Sequence, residues 1–333
     1  MHQLCRRGAV ACLGALLVTL SVSDRLHAQT GAAWSQRPVT VIVSQPGGAS
    51  PDVMARMLAE RITAATGQAM IVENKPGAGN AIGATAAARA TPDGTTLYFA
   101  TSAALVLNPF LMANLTYDPL NGFAPIAFIA KSNQLIVAKS DAPFSNLADL
   151  IALEKKRPGQ LSIAVDGPRN LAGLIALAIN QKAGTAFVSV PYNNITSGVQ
   201  DVMAGRVEAG VFSVSIVESL IREGNLKAIA AVADTPLSSM SNVPLAKDVL
   251  KGLDYAGWFM VMAPAGTPPD VVRAINAAYK AAAADPKVQE LAPKLGFEIP
   301  TAGIATPDQA ALILKNEYAA WKVLTEQLGL KPQ

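Results

Sequence analysis

Short apolar runs alternate with helically spaced segments along most of the chain. Residues 39–43 form a continuous run rich in β-branched side chains, which is typical of a strand buried on both faces. A polar turn follows, and the spacing of apolar residues then predicts a helix over residues 53–66. The stripe predicted for this helix consists of Val53, Met57, Leu58, Arg61 and Ile62.

The same alternation continues to the end of the sequence. Further strands are predicted at residues 69–73, 95–100, 126–129, 135–138, 161–165, 187–190, 209–212, 228–232 and 258–262. Helices are predicted at residues 81–90, 147–156, 170–183, 197–204, 216–222, 269–284, 286–295 and 307–328. This pattern indicates an α/β fold with a mostly parallel sheet and helices on both faces. No repeat or low-complexity linker is present, so two lobes would be joined by crossover strands.

The first 28 residues have the features of a secretory signal peptide. Arg6 and Arg7 precede an uncharged apolar run at residues 8–22, and the expected cleavage follows Ala28. Leu26 fits the small-residue rule for this site poorly, so the cut can fall a few residues away. The alternative is an uncleaved anchor, although the apolar run is shorter than the roughly 20 residues of a spanning helix.

Removal of that segment would leave a chain without histidine or cysteine. Both histidines (His2, His27) and both cysteines (Cys5, Cys12) precede residue 29. A Ser-His-Asp triad, a Cys-His pair, a zinc site built on these residues and a disulfide framework are therefore excluded. Export without disulfides favours the periplasm. We expect no cofactor, no metal and no catalytic residue.

Composition narrows the possible partners. The chain has 333 residues, of which 51% are hydrophobic, enough for a large core in about two domains. The formal net charge is only +3, and no basic block interleaved with aromatic residues occurs. We therefore expect no nucleic-acid partner.

Glycines and hydroxyl side chains follow the first three predicted strands. Gly47, Gly48 and Ser50 follow the first strand, where a loop amide and a helix start favour an anion. The second loop contains Gly79 and Asn80 and resembles an anion-binding nest. The third strand ends at Thr101 and Ser102. Because ligands of open α/β sheets bind outside the carboxyl ends of strands, these loops predict a pocket for a carboxylate.

Plain turns remain an alternative for each of these loops. Glycine also serves ordinary turns, and the hydroxyl groups of Ser50, Thr101 and Ser102 can cap the segments that follow. No lysine stands where a phosphate-binding loop of the GxxxxGK[ST] kind would need it. The second loop lacks the third glycine of a dinucleotide fingerprint, because Ile82 occupies that position.

Colinear motifs also carry a family resemblance over about residues 37–330. They lie at residues 37–48, 72–80, 92–97, 108–109, 117–119, 123–126, 190–192 and 263–268. Together they resemble the Bug-type periplasmic substrate-binding proteins of tripartite tricarboxylate transporters. The resemblance implies a type II, Venus-flytrap fold with two α/β lobes and two crossover strands. Lobe one would comprise residues 37–133 and 256–333, and lobe two residues 134–255.

The resemblance also implies the ligand, the partner and further site residues. A small carboxylate, either a dicarboxylate or an aromatic one, would be held by main-chain amides and ordered waters. The partner would be the membrane permease of a tripartite transporter, and the binding protein would be a monomer. The lobe-two residues carried over by position are Asn170, Tyr192, Asn193 and Ser213.

The sequence departs from the family pattern in three places. An extra residue separates Gly48 from Asp52, the loop at residues 166–170 is not rich in serine and glycine, and Ser213 stands where aspartate is common. In that loop Arg169 would begin a helix beside the cleft, where its guanidinium would clamp a second ligand carboxylate. The alternative is a surface ion pair between Arg169 and Asp166.

Two other functions remain open from sequence alone. One is an exported enzyme that uses a carboxylate or lysine as its base. The other is a sensory protein that presents its ligand to a receptor kinase. Sensing and transport delivery could use the same closed surface of the lobes, and the transport partner is implied by the family resemblance alone.

Overall fold

Two mixed β-sheets form the framework of the protein. The computed structural model describes residues 34–168, 170–327 and 329–332. The first sheet has the strand order β11-β4-β10-β3-β1-β2. Its strands are β1 (Val39–Val43), β2 (Met70–Asn74), β3 (Thr96–Thr101), β4 (Phe123–Ser132), β10 (Gly257–Pro264) and β11 (Phe297–Glu298). The second sheet has the order β7-β6-β8-β5-β9. Its strands are β5 (Gln134–Lys139), β6 (Ser162–Val165), β7 (Val188–Pro191), β8 (Ala209–Ser213) and β9 (Leu226–Val232).

Each sheet contains a parallel triplet and antiparallel partners. Strand β1 pairs in parallel with β2 and β3, and β6 pairs in parallel with β7 and β8. Strands β10 and β5 run antiparallel to these triplets. Strand β10 is buried along its whole length, because it lies between β3 and β4 in the middle of the first sheet.

Helices connect the strands and cover the sheets. They are α1 (Ser50–Thr66), α2 (Ala81–Ala88), α3 (Asn108–Leu111), α4 (Leu147–Lys156), α5 (Leu171–Ala183), α6 (Ile195–Met203), α7 (Val214–Arg222), α8 (Ala246–Val249), α9 (Pro269–Ala283), α10 (Pro286–Lys294) and α11 (Pro307–Gln327). The predicted helices and strands all form, with ends shifted by a few residues. The short elements α3, α8 and β11, and a buried π-helical segment at Ala103–Leu107, were not predicted.

The buried face of α1 differs from the predicted stripe. The core side is formed by Met54, Leu58 and Ile62 together with two alanines, whereas Val53 and Met57 are only partly buried. The prediction was wrong in phase because it counted large side chains. The small residues Ala55 and Ala59 fit against the sheet more closely.

A single residue carries the chain from the first sheet to the second, whereas residues 233–256 carry it back. Asn133 separates β4 of the first sheet from β5 of the second and is completely buried. The side-chain amide of Asn133 donates to Glu298 Oε1 at 2.7 Å, and the backbone carbonyl oxygen of Asn133 accepts from the N–H of Val214 at 3.3 Å. These bonds connect the crossover to both sheets, as expected when no flexible linker is present.

The N-terminal segment is not part of this description. The predicted signal peptide, residues 1–28, lies outside the described residues. Within the described ranges, every helix is too short or too polar to cross a membrane.

The chain packs closely at Gly296, where the residue before β11 meets the start of α7. Gly296 has a φ of +71°, and an added Cβ would lie 2.3 Å from Val214 Cβ, at the start of α7. We expect Gly296→Ala to lower the free energy of unfolding by about 2–5 kcal/mol, combining left-handed strain with overpacking. Denaturant unfolding measures the change.

Gly303→Ala is the matched control. Its φ is +81°, but the nearest atom to an added Cβ is the flexible Lys280 side chain at 4.0 Å. This variant should lose only the backbone part, about 1–2 kcal/mol. Equal losses in both variants would contradict a close contact between Gly296 and Val214.

Candidate functional site

The carboxyl ends of three strands from each sheet surround one cavity. The loops after β1, β2 and β3 line one side, and the loops after β6, β7 and β8 line the other. The cavity has a volume of about 1020 Å³. Because parallel strands end at a common edge, the order of the strands brings these loops together.

The loop after β1 is held by Asp52 from the first turn of α1. The carboxylate of Asp52 accepts from Gly48 N–H at 2.8 Å, from Arg56 Nε at 2.9 Å and from Asn74 Nδ2 at 2.9 Å. Burial alone would raise the pKa of Asp52, but these donors outweigh burial and lower it. The glycine loop is therefore fixed to both α1 and β2 before any ligand arrives.

This arrangement changes the roles expected for Gly48 and Ser50. Gly47 and Gly48 both line the cavity, but the Gly48 amide is already bonded to Asp52. Ser50 is the first residue of α1, and its hydroxyl lies 2.8 Å from the hydroxyl of Ser215 on α7. No side chain caps α1, and the N–H groups of its first turn have no acceptor within the helix.

The loop after β2 adopts an unusual left-handed turn. Gly77, Ala78, Gly79 and Asn80 have φ values of 126°, 45°, 57° and 79°. Such angles are strained for alanine and asparagine, which costs about 1–3 kcal/mol each. The carbonyl of Gly79 accepts from Asn108 Nδ2 at 2.7 Å, which holds the turn in place.

Asn80 joins the two sides of the cavity. It is 3% exposed; its Oδ1 accepts from Ser44 Oγ at 3.2 Å, and its Nδ2 donates to Asn170 Oδ1 at 3.3 Å. Asn80 and Asn170 belong to loops of different sheets, so this bond and the Ser50–Ser215 bond both cross the cavity.

The hydroxyl groups at the end of β3 lie at the base of the cavity. Thr101 is 4% and Ser102 is 3% exposed, and both line the cavity. Thr101 Oγ1 accepts from Ala104 N–H at 3.4 Å, so its side chain contacts the segment that follows as well. Capping and ligand contact are thus compatible at this position.

The loops of the second sheet contribute mainly neutral polar groups. Tyr192, Asn193 and Ser213 line the cavity. The Tyr192 hydroxyl donates to Asp201 at 2.6 Å; burial and this bond raise its pKa to about 12. The aromatic ring of Tyr192 therefore remains as the part of this side chain that is available for contact with a ligand. Ser213 Oγ lies 3.3 Å from Ser215 Oγ, next to the bond that crosses the cavity.

Four helices begin at the cavity edge without a side-chain cap. They are α1, α2, α5 and α7, which follow the loops described above. By contrast, the side chains of Asn146 and Asp285 cap α4 and α10. Helix N-termini carry a partial positive charge and free N–H groups, so their convergence favours an anion.

Asp166 is a residue of this site that the sequence analysis did not select. It directly follows β6 and lines the cavity. Its Oδ1 is buried and has no hydrogen-bond partner among the described residues, and burial raises its pKa to about 7. A polar residue next to a glycine at a strand end was the signal that could have identified it.

All predicted site residues except Arg169 therefore lie around the same cavity. Arg169 lies outside the described residues, and its carboxylate clamp stays a prediction. Ser132, Gln134 and Ser215 also line the cavity and were not predicted. Among the residues that the structure describes, no group of three or more histidine, cysteine, aspartate or glutamate side chains could hold a metal ion.

Two mixed sheets with a cavity at their strand ends define the class of two-lobe periplasmic binding proteins. Within that class, the chain belongs to the tripartite tricarboxylate transporter receptor family, whose model matches residues 54–330. This confirms the resemblance found in the sequence.

Individual relatives agree with the family assignment. Protein BugT of Bordetella pertussis (strain Tohama I) is 31% identical over 328 residues, which cover 97% of this chain and 98% of BugT. The structure of the periplasmic binding protein BugD is 29% identical, covers 90% of this chain and 100% of its own, and gives a TM-score of 0.83. R. palustris Rpa4515 with adipate is 26% identical, with the same coverages and a TM-score of 0.84.

The left-handed turn predicts a stabilising substitution. We expect Ala78→Gly to raise the free energy of unfolding by about 1 kcal/mol, because glycine adopts positive φ without steric strain. The control Ala81→Gly, in the first turn of α2 at a φ of −67°, should lower it by about 1 kcal/mol. Urea unfolding measures both, and a destabilised A78G protein would contradict the assigned strain.

Asp166 predicts a pH-dependent stability. Its pKa is raised from 3.8 to about 7, so between these values the native protein holds a proton that the unfolded chain has released. Stability therefore falls as the pH rises through this window. We expect Asp166→Asn to melt at least about 2 °C above the wild type at pH 8, with the difference shrinking towards pH 4.

Thermal unfolding across this pH range measures the effect. The control is Asp141→Asn, at a side chain that is 69% exposed. It should show no such pH-dependent difference. A D166N difference that stays constant with pH would show that burial does not perturb this carboxyl.

Proposed function

We propose that the protein is an extracytoplasmic solute-binding protein that captures a small carboxylate and delivers it to a tripartite transporter. The observation that carries this proposal is the cavity bordered by uncapped helix N-termini. Free amides and helix dipoles stabilise carboxylate oxygens without covalent chemistry. The adipate bound by Rpa4515 supports the same ligand class.

Binding would shift an equilibrium between open and closed forms of two lobes. We assign residues 37–133 and 256–333 to lobe one and residues 134–255 to lobe two. The bonds Ser50–Ser215 and Asn80–Asn170 join loops of different sheets and would stabilise the closed form. The closed form would then dock, as a monomer, on the membrane permease of the transporter.

Location follows from the same proposal. Residues 1–28 would direct export and be removed, leaving the binding protein in the periplasm. BugD is itself a periplasmic binding protein, and this supports the assignment. A sensory protein that presents its ligand to a receptor kinase would use the same closed form. Uptake of the ligand that is abolished in a permease deletion strain would favour transport.

An enzymatic role is the second candidate, because a buried carboxyl with a raised pKa is typical of a general acid. Asp166 is that carboxyl. The chain belongs to a family of transporter receptors, and we propose no second residue as a catalytic partner of Asp166. Ligand recovered chemically intact after prolonged incubation would exclude turnover; a consumed ligand would favour the enzyme.

A thermal-shift screen of carboxylates tests the binding proposal directly. A ligand present at about 100 times its dissociation constant stabilises the native protein by about 2.7 kcal/mol. We expect at least one small carboxylate to raise the melting temperature, and the corresponding primary amide, which lacks the charge, to have no effect. If the primary amide analogue stabilises the protein equally, the helix N-termini do not recognise the charge of the carboxylate.

The bond between Ser50 and Ser215 provides a second test. Ser215→Ala removes a hydrogen bond worth about 0.5–1.5 kcal/mol from the closed form. We therefore expect roughly threefold to tenfold weaker binding of the best carboxylate, measured by calorimetry. Ser219→Ala, at an exposed position of the same helix, is the matched control and should bind normally. An unaffected S215A protein would contradict a role for this bond in closure.

A further inference from the structure

Asp166 differs from the other described residues of the cavity wall because its side chain can carry a negative charge. Among the described residues that line the cavity there is no lysine, arginine, histidine or glutamate, and Asp166 is the single aspartate. The Tyr192 hydroxyl is bonded to Asp201 and the Trp258 indole N–H to Glu317, and the other polar groups of the described wall are backbone amides, hydroxyls and side-chain amides. The described wall therefore combines one acidic group with many neutral donors.

The carboxyl group of Asp166 lacks the partners that buried carboxylates require. Oδ1 has no hydrogen-bond partner among the described residues, and the backbone N–H of Asp166 offsets only part of the burial that raises its pKa. The side-chain amide of Asn170 donates to the backbone oxygen of Asp166 at 3.1 Å and therefore does not pair with Oδ1. A buried charge without a partner is unfavourable, so the site is incomplete without a donor.

The two sides of the cavity thus offer different chemistry. Lobe one presents the uncapped starts of α1 and α2, which favour a carboxylate. Lobe two presents the uncapped starts of α5 and α7 and, in addition, Asp166, which favours a cation or a donor. A ligand that carries an acid and an amine satisfies both sides, whereas a second carboxylate would meet Asp166 as a like charge.

We propose that Asp166 selects the ligand by receiving the protonated nitrogen of a small amino-carboxylate, whose own carboxylate binds the helix N-termini. This inference rests on the proposed function and narrows its ligand class. It differs from the dicarboxylate that the predicted Arg169 clamp would favour. The carboxylate of Asp166 gains the buried donor that it lacks, and the ligand nitrogen gains a charged acceptor.

Matched linear probes separate these ligand classes. The first series contains ω-amino acids, dicarboxylates and monocarboxylates of two to six carbons, such as 6-aminohexanoate, adipate and hexanoate. The second contains the standard α-amino acids and their deaminated counterparts. Calorimetry at pH 8 gives the affinity of each probe for the wild type, Asp166→Asn and Asp141→Asn. The last variant carries its change at an exposed position.

The wild type should bind at least one amino-carboxylate about tenfold or more tightly than the matching dicarboxylate and monocarboxylate. Asp166→Asn should lose about tenfold or more of that affinity, while its affinity for the monocarboxylate changes less than about threefold and that for the dicarboxylate rises. Asp141→Asn should match the wild type. Asp166→Ser, which removes the charge with a different side chain, should repeat the loss, and retained monocarboxylate binding shows that both variants are folded.

Two results would overturn the inference in distinguishable ways. A wild type that prefers a dicarboxylate, or an amino-carboxylate affinity that neither Asp166 variant changes, refutes the role of Asp166 and leaves carboxylate capture intact. A wild type that binds none of the carboxylates refutes the proposed function and this inference together.

Discussion

The cavity depends on one constraint, the common direction of the parallel strands in each sheet. Strands β1 to β3 end at one edge, strands β6 to β8 end at another, and a loop of each faces the same space. Helices without a side-chain cap follow four of these strands, and their first-turn N–H groups have no acceptor within the helix. The proposed anion capture would therefore rest on backbone geometry and need no cationic side chain.

Side chains around the cavity mostly hold the backbone in place. Asp52 is positioned to cap α1, but it binds Gly48, Arg56 and Asn74 instead and fixes the glycine loop. Asn80 bonds to Ser44 and to the opposite loop. These side chains are engaged with one another and leave the starts of α1, α2, α5 and α7 without a side-chain cap. The walls are thus pre-organised, which reduces the entropy lost when a ligand binds.

Much of the fold could be predicted because its elements have clear periodicity. The strand run at residues 39–43 and the helix at residues 147–156 have the predicted bounds. The π-helical segment Ala103–Leu107 could not be predicted, because all of its side chains are buried and no polar face marks a period. Alanines in the core of α1 shifted its stripe for a related reason, since close approach to the sheet depends on tertiary packing.

In the candidate site too, local sequence features could be predicted and contacts that depend on tertiary packing could not. Glycines and hydroxyl groups at strand ends were visible in the sequence, and parallel topology was enough to bring them together. Contacts between residues far apart in sequence were not visible, such as that between Ser50 and Ser215. The buried Oδ1 of Asp166 was not predicted either, because burial of a carboxyl oxygen depends on what packs around it.

Backbone amides attract a carboxylate but distinguish poorly between ligands that share one. The four uncapped helix starts at this cavity carry the same partial charge, so a monocarboxylate, a dicarboxylate and an amino acid could all place one acid group there. Discrimination must come from what meets the other end of the ligand. A single buried ionisable group has the strongest effect at that point, since its charge is poorly screened and its hydrogen bonding is incomplete. In the proposed mode of binding, the choice of ligand would therefore be set less by the many amides than by the one carboxyl group of the described wall, whose Oδ1 lacks a partner there.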